Sequence, residues 1–206
     1  AAGWSIYTKP KIDKETLCET GAILNTTVIL FDKTGGFSAN QQRIVSKAIA
    51  AEIEELVIGD RLTIFEVDDK EYMGLSKPIF DSCRPKDGSQ TNELYENKQM
   101  IAKTFNVHFL DKLKVITATL EEIENATSSP IIESLSDISI LYNLSTNLKL
   151  KKLIIVSDLL QHSKNLSSYN TNLKELNNDK LSLIPDLFGI DVQVYWLQRN
   201  NNEQRI

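Results

Sequence analysis

The chain of 206 residues has only two cysteines, Cys18 and Cys83. Without C-x-x-C spacing they support neither a disulfide-dense scaffold, nor a zinc knuckle, nor a thioredoxin-type redox pair, and a single bridge between them remains open. Cationic side chains are also scarce: 23 Lys and Arg against 28 Asp and Glu leave a net charge of −5. No strip of Lys and Arg interleaved with aromatics is present, so the chain lacks the field that attracts a phosphate backbone, and nucleic acid is excluded as a partner class. Long apolar runs are missing too. Val28 to Phe31 and Leu153 to Val156 are typical, far short of the roughly 20 residues a membrane-crossing helix needs. Direct membrane insertion by this segment is therefore not expected. There is no G-x-S-x-G turn, and neither His108 nor His162 has a Cys or His companion in sequence; both histidines read as structural, and nucleophilic acyl chemistry has no signature.

What is present is a chain that is 41% hydrophobic, enough for one ordinary buried core and too much for disorder. Thr27 to Phe31 is β-branched and continuously apolar, as in a strand buried on both faces of a parallel sheet, and it stops at Asp32 before Gly35-Gly36. Ser38 and Gln41 form an S-x-x-Q capping box. Behind it, Ile44, Val45, Ala48, Ile49, Ile53 and Leu56 share one helical face. Gly59-Asp60 closes that helix and Arg61 to Val67 follows as a second strand. A strand-helix-strand unit of this kind crosses over right-handedly and joins parallel strands.

Met73 to Phe80 is a weaker strand whose Pro78 suits a sheet edge, and Asp81 to Asn92 reads as a surface loop. Between about Glu93 and Glu124, Leu94, Ile101, Phe105, Phe109, Leu113, Ile116, Leu120 and Ile123 mark one long helix or two in tandem. Pro130 opens a further helix carrying Ile131, Ile132, Leu135, Ile138 and Leu141. Lys151 to Ser157 is a third buried strand ending in Asp158, Leu173 to Leu187 a further helix, and Asp191 to Leu197 a last strand. Alternation of strands and helices without repeats or a change of composition predicts a single α/β domain over 1–206. Residues 1–26 form an N-terminal extension. The opening Ala1-Ala2-Gly3-Trp4 lacks an initiator Met and reads like a trimmed edge behind a signal or anchor. Four glycosylation sequons, at Asn25, Asn125, Asn143 and Asn165, are of the kind an Asn- and Ser-rich chain generates by chance.

Ligands of open α/β sheets collect at the carboxyl ends of the strands. Three segments converge there: Asp32 to Ser38, Thr127-Ser128-Ser129, and Asp158. Two carboxylates with hydroxyls from separate loops are hard oxygen donors suited to Mg²⁺ or Mn²⁺. Structural roles compete at each position. Ser38 is most simply an N-cap, Ser129 fits the N-cap before Pro130, Thr127 and Ser128 fit a turn, and either aspartate could cap its own turn.

On Val28-Ile29-Leu30-Phe31-Asp32-Lys33-Thr34, Gly59-Asp60-Arg61-Leu62, Ser129-Pro130-Ile131 and Leu153-Ile154-Ile155-Val156-Ser157-Asp158, the chain resembles von Willebrand factor A-like domains over nearly its whole length. The resemblance implies a three-layer sandwich: a mostly parallel central sheet with one antiparallel edge strand and helices on both faces. It also implies a metal-ion-dependent adhesion site, D-x-S-x-S with a middle-loop Thr and a late Asp. Asp32 matches the first aspartate, Thr34 the first hydroxyl, Ser128 or Ser129 the middle-loop threonine, and Asp158 the last aspartate. Gly36 stands where the second serine belongs, which makes the site degenerate unless the loop bends Ser38 back.

The same resemblance makes the third strand antiparallel, so that its end near Cys83 returns to the rim where the first strand begins near Cys18. A Cys18–Cys83 disulfide is then expected, and with it a periplasmic or extracellular location. The implied function is non-enzymatic: a binding module of the bacterial envelope, tethered upstream to the inner membrane, whose divalent cation engages an acidic residue of a protein partner. Two other readings stand beside it. Phe31-Asp32-Lys33-Thr34-Gly35 also looks like the phosphorylated-aspartate loop of the haloacid dehalogenase superfamily, with Asp32 as nucleophile. That chemistry needs a late G-D-G-x-x-D-type loop, which the sequence lacks, and Gly36 replaces the expected Thr. The third reading is a metal-free scaffold whose helices bind a partner.

Overall fold

The computed structural model describes residues 10–33, 38–67, 75–92, 94–119, 128–169 and 184–198. Five strands make one sheet: β1 (Leu24–Phe31), β2 (Arg61–Glu66), β3 (Phe80–Cys83), β4 (Leu148–Ser157) and β5 (Asp191–Trp196). Their order is β3-β2-β1-β4-β5. β1, β2, β4 and β5 run parallel, and β3 is antiparallel at the edge beside β2. The most apolar strands, β1 and β4, occupy the centre, where both faces are buried.

Alternate residues of the central strands feed two separate cores. Ile29, Phe31, Leu62, Ile64, Ile154 and Val156 meet α1 (Ala39–Glu55) and the helical run Lys98–Thr119 on one face. Val28, Leu30, Phe65, Leu153 and Ile155 meet α4 (Ile131–Leu144) on the other. The expected three-layer α/β sandwich is therefore the observed fold.

Helix α1 begins as its sequence dictates. Gln41 N–H donates to Ser38 Oγ at 3.4 Å, and the Gln41 side chain accepts from the Ser38 N–H at 2.8 Å. Ser38→Ala is expected to lower stability by about 1 kcal/mol, read as a small shift of the urea midpoint with the folded spectrum unchanged. The helix ends at Glu55, and the turn to β2 is made by Gly59 at φ +91°.

Several boundaries differ from the sequence reading: β1 begins at Leu24, inside the expected 1–26 extension, β4 begins at Leu148 rather than Lys151, and the edge strand is displaced. Residues 75–79 of the expected Met73 to Phe80 strand are not in the ladder, Met73 and Gly74 lie outside the described residues, and the edge strand runs from Phe80, so Asp81 to Cys83 pair with β2 instead of forming loop. The reason is chemical: Asp81 receives Nε and Nη2 of Arg61 at 2.6 and 2.5 Å, which holds the segment in the sheet. That bond also raises the Arg61 guanidinium above its ordinary pKa. Pro78 lies just before the strand, where its missing N–H costs no ladder bond.

The long amphipathic stretch is a single helical run with a change of pitch. It passes from α2 (Lys98–Thr104) through a π segment (Phe105–Leu110) into α3 (Asp111–Thr119). Ile101, Phe105, Phe109 and Leu113 repeat every fourth residue, and at 3.6 residues per turn such a row drifts about 40° per step. The wider π turn absorbs that drift. Phe109 and Leu113 thereby stay buried on the sheet with Phe105 and Ile116 packed alongside. Leu94, expected on this stripe, precedes the Asn97 N-cap and is exposed. The expected positions Leu120 and Ile123, and most of the anticipated Leu173 to Leu187 helix, lie outside the described residues.

Cys18 and Cys83 are bonded, with Cα atoms 4.9 Å apart. Cys83 pairs with Arg61 at the start of β2, so the bridge sits at the amino-terminal ends of the parallel strands. It fastens the segment Asp13–Cys18 along the outer edge of β3, where Thr16 C=O accepts from Cys83 N–H and Ser82 Oγ at 2.7 and 2.9 Å. Among the described residues, no helix is long and apolar enough to cross a membrane.

Candidate functional site at the carboxyl ends of the strands

The opposite end of the sheet gathers the oxygen donors. Asp32 follows β1 and is 5% exposed. Its N–H still pairs with Val156 C=O at 2.9 Å, which fixes the carboxylate level with the end of β4. By strand alternation Asp32 continues the row Val28, Leu30, and Ser157 continues the row Leu153, Ile155, so both project to the α4 face. There Asp32 Oδ2 accepts from Ser157 Oγ at 2.8 Å and from Ser129 Oγ at 3.0 Å. One carboxylate thus binds the hydroxyls of the last residue of β4 and of the segment before α4, far apart in sequence.

Ser129 does not cap α4. Pro130 occupies the N-cap position, and the Ser129 hydroxyl is released to reach Asp32. Its placement depends on the loop after β4, whose His162 exchanges two backbone hydrogen bonds with Ser129, at 2.6 and 2.9 Å. A buried clamp holds the two segments together: Glu133 in the first turn of α4 accepts from Gln161 Nε2 at 2.8 Å and Ser163 Oγ at 2.5 Å. Gln161 Oε1 accepts from Ile132 N–H at 2.9 Å. Glu133 is only 5% exposed, and those donors satisfy the hydrogen-bonding demand of its buried oxygens.

Asp158 directly follows Ser157 and is half-buried. Its Oδ1 accepts from Leu160 N–H at 2.8 Å, the Asx-turn that aspartates commonly make, and Ser157 Oγ accepts from Leu159 N–H at 2.8 Å. Between these bonds Leu159 sits at φ +63°, a left-handed conformation that costs a residue with a Cβ about 1–2 kcal/mol. Trp196, at the end of β5, donates its indole N–H to Asp158 C=O at 3.2 Å.

Of the residues singled out from the sequence, Asp32 and Ser129 are brought into contact and Asp158 lies on the neighbouring strand end. Ser128 is half-buried next to Ser129. Ser38 bonds to Gln41, as the helix cap, and not to Asp32. Thr34 and Gly36 lie outside the described residues.

Ser157, Glu133 and Lys33 escaped the sequence reading. Ser157 was visible only as the last strand residue; its two-residue spacing from Ile155 and Leu153 is the signal that puts its hydroxyl on the Asp32 face. Lys33, 8% exposed, forms an ion pair with Glu66 at the end of β2, which satisfies a buried ammonium beside the rim.

Carboxylates and hydroxyls are the donors that Mg²⁺ and Mn²⁺ accept. Asp32, Ser129, Ser157 and Asp158 supply that chemistry, although among the described residues no three His, Cys, Asp or Glu side chains are grouped to hold a metal by themselves. Compared with protein-family models and with curated proteins, the chain matches none.

Proposed function

We propose that the chain is a non-enzymatic protein-binding module similar to von Willebrand factor A-like domains, working outside the cytoplasm. The observation that supports this reading is the convergence of Ser129 and Ser157 on the buried Asp32 carboxylate, beside Asp158, at the sheet end where such folds take their ligands. Asp32, Asp158, Ser129 and Ser128, with Thr34, would hold a Mg²⁺ or Mn²⁺ ion directly or through water. When bound, the cation supplies an open coordination position for a carboxylate of the partner protein. The disulfide supports a periplasmic or extracellular setting, since such bridges persist in oxidising compartments. An upstream anchor in the inner membrane and a role in an envelope complex complete the reading.

Calorimetric titration with Mn²⁺ and Mg²⁺ tests it. Wild type is expected to give a saturable heat, and Asp32→Ala to weaken it at least tenfold, about 1.4 kcal/mol. Asp32→Asn keeps an acceptor for the two serines and controls for loss of fold by circular dichroism. Absence of any saturable heat from wild type would leave a metal-free scaffold. Aryl-phosphate turnover or beryllofluoride trapping that disappears in Asp32→Ala would replace the reading with phosphoryl transfer.

A further inference from the structure

A groove of about 860 Å³ opens between the second half of α4 and the β2–β3 edge, and every residue that lines it is described. Its walls are apolar: Leu75 and Pro78 on one side, and Ile140, Leu141 and Leu144 on the other, the last three 52%, 44% and 80% exposed. Its floor is polar. Phe65 belongs to the core beneath α4, and strand alternation places Thr63 and Arg61 on the same face of β2. Buried Thr63 donates from Oγ1 to Asp81 Oδ1 at 3.2 Å and accepts from the Tyr142 hydroxyl at 3.4 Å. Asp81 also holds Nε and Nη2 of Arg61. The remaining guanidinium nitrogen, Nη1, has no partner among the described residues, and the long bond from Tyr142 leaves its hydroxyl able to turn into the groove.

We infer that this groove binds a small apolar carboxylic acid as its carboxylate, the tail between Leu141 and Pro78 and the head on Arg61 and Tyr142. Apolar walls with a few convergent polar groups are the build of a small-molecule site, and the volume lies in the usual range of roughly 300–1,000 Å³. The head follows from what the floor leaves unused, which is donors alone. Asp81 is filled by Arg61 and Thr63, so an ammonium finds no acceptor there. The guanidinium is always protonated. Burial raises the Tyr142 phenol above its ordinary pKa, so it keeps its proton too. A carboxylate accepts from both, and its bond to the guanidinium is charge-assisted. Lys77 and Asp137, on opposite walls, offset each other in charge, so the floor sets the preference. The described chain does not enter the groove. The approach to β5 passes the other flank of α4, where Ser139 Oγ donates to Asp186 C=O at 2.8 Å. Arg61 lies about 20 Å down β2 from Val67, where the chain leaves the strand. The proposed cation at Asp32 plays no part in this binding.

The test is a heteronuclear NMR titration of the isotope-labelled full chain, in chelator, with decanoate, decanol and decyltrimethylammonium, each kept below its micelle threshold. Decanoate is expected to bind saturably, with shifts centred on residues 61–65, 75–81 and 137–148. It should bind about tenfold more tightly than decanol, and the ammonium no better than decanol. Arg61→Lys should lower the decanoate affinity about tenfold and leave decanol unchanged. Arg61 also anchors β3, so Leu141→Asp on the exposed lip gives a second measure. It should keep the wild-type circular dichroism, lose about tenfold in decanoate affinity by charge repulsion, and bind the ammonium no more weakly than wild type. Such binding supports the inference whether or not a Mn²⁺ heat is found. Equal affinity for decanoate and decanol, shifts centred elsewhere, or decanoate binding unchanged in Leu141→Asp would overturn it. So would the same shifts on raising the protein concentration alone, which would make the occupant a second copy of the chain. Binding that appeared only with Mg²⁺ would move the carboxylate to the rim and also overturn it.

Discussion

Replacing both half-cystines, in Cys18→Ala/Cys83→Ala, is expected to remove about 4 kcal/mol of stability. The bridge joins residues 65 apart, and in the chain-entropy account a loop of that length restricts the unfolded ensemble by about this amount. The native side adds little to offset the loss, since Cys18 and Cys83 are both buried with Leu24 in a small cluster of their own. Urea unfolding of wild type with and without a phosphine reductant, beside the double variant, measures it. A difference below about 1 kcal/mol would mean that the hydrogen bonds from Cys83 N–H and Ser82 Oγ to Thr16 C=O already fix the segment unaided. The proposed Mn²⁺ heat should be the same in wild type and the folded double variant, because the bridge lies at the far end of the strands from Asp32.

Phe109→Ala should be comparably severe, about 3–5 kcal/mol. Phe109 is fully buried, edge-on to Phe80 with ring centroids 5.6 Å apart and stacked on Phe105 at 5.7 Å. It is the buried residue of the π segment, so its ring is what the extra residue in that turn brings onto the sheet. Truncation leaves a cavity and also removes the packing that offsets the poorer hydrogen-bond geometry of a wide turn. Urea unfolding gives the size of the loss, and near-ultraviolet circular dichroism should lose intensity while the far-ultraviolet spectrum keeps its helical shape.

The sequence made the layered fold legible because its signals were local. Thr27 to Phe31 and Leu153 to Val156 are apolar on both faces, and only central parallel strands are buried that way. The capping box at Ser38 and Gln41 is complete within four residues. The edge strand was misplaced because its position is set by a partner twenty residues away, Arg61 on Asp81. The π turn was hidden because a four-residue spacing is compatible with a helix over any one step and fails only over several. At the candidate site, chain position marked Asp32 and Asp158, since both end strands. It could not mark Ser157 as a donor to Asp32, nor Glu133 as the clamp of the loop after β4. Those contacts span 125 and roughly 30 residues and exist only once the sheet has formed.

The bridge at one end of the strands and the oxygen-lined rim at the other give the molecule a head and a foot. A leash attached ahead of residue 10 would pull on the foot, where the bond between Cys18 and Cys83 transfers load straight into the sheet edge. The head would then face away from whatever surface holds the leash. A fusion at the carboxyl side leaves from β5 at the head itself, next to Trp196. Grafting the chain onto a bead or a sensor chip by its amino side should therefore present the rim to solution, whereas the reverse attachment would shade it.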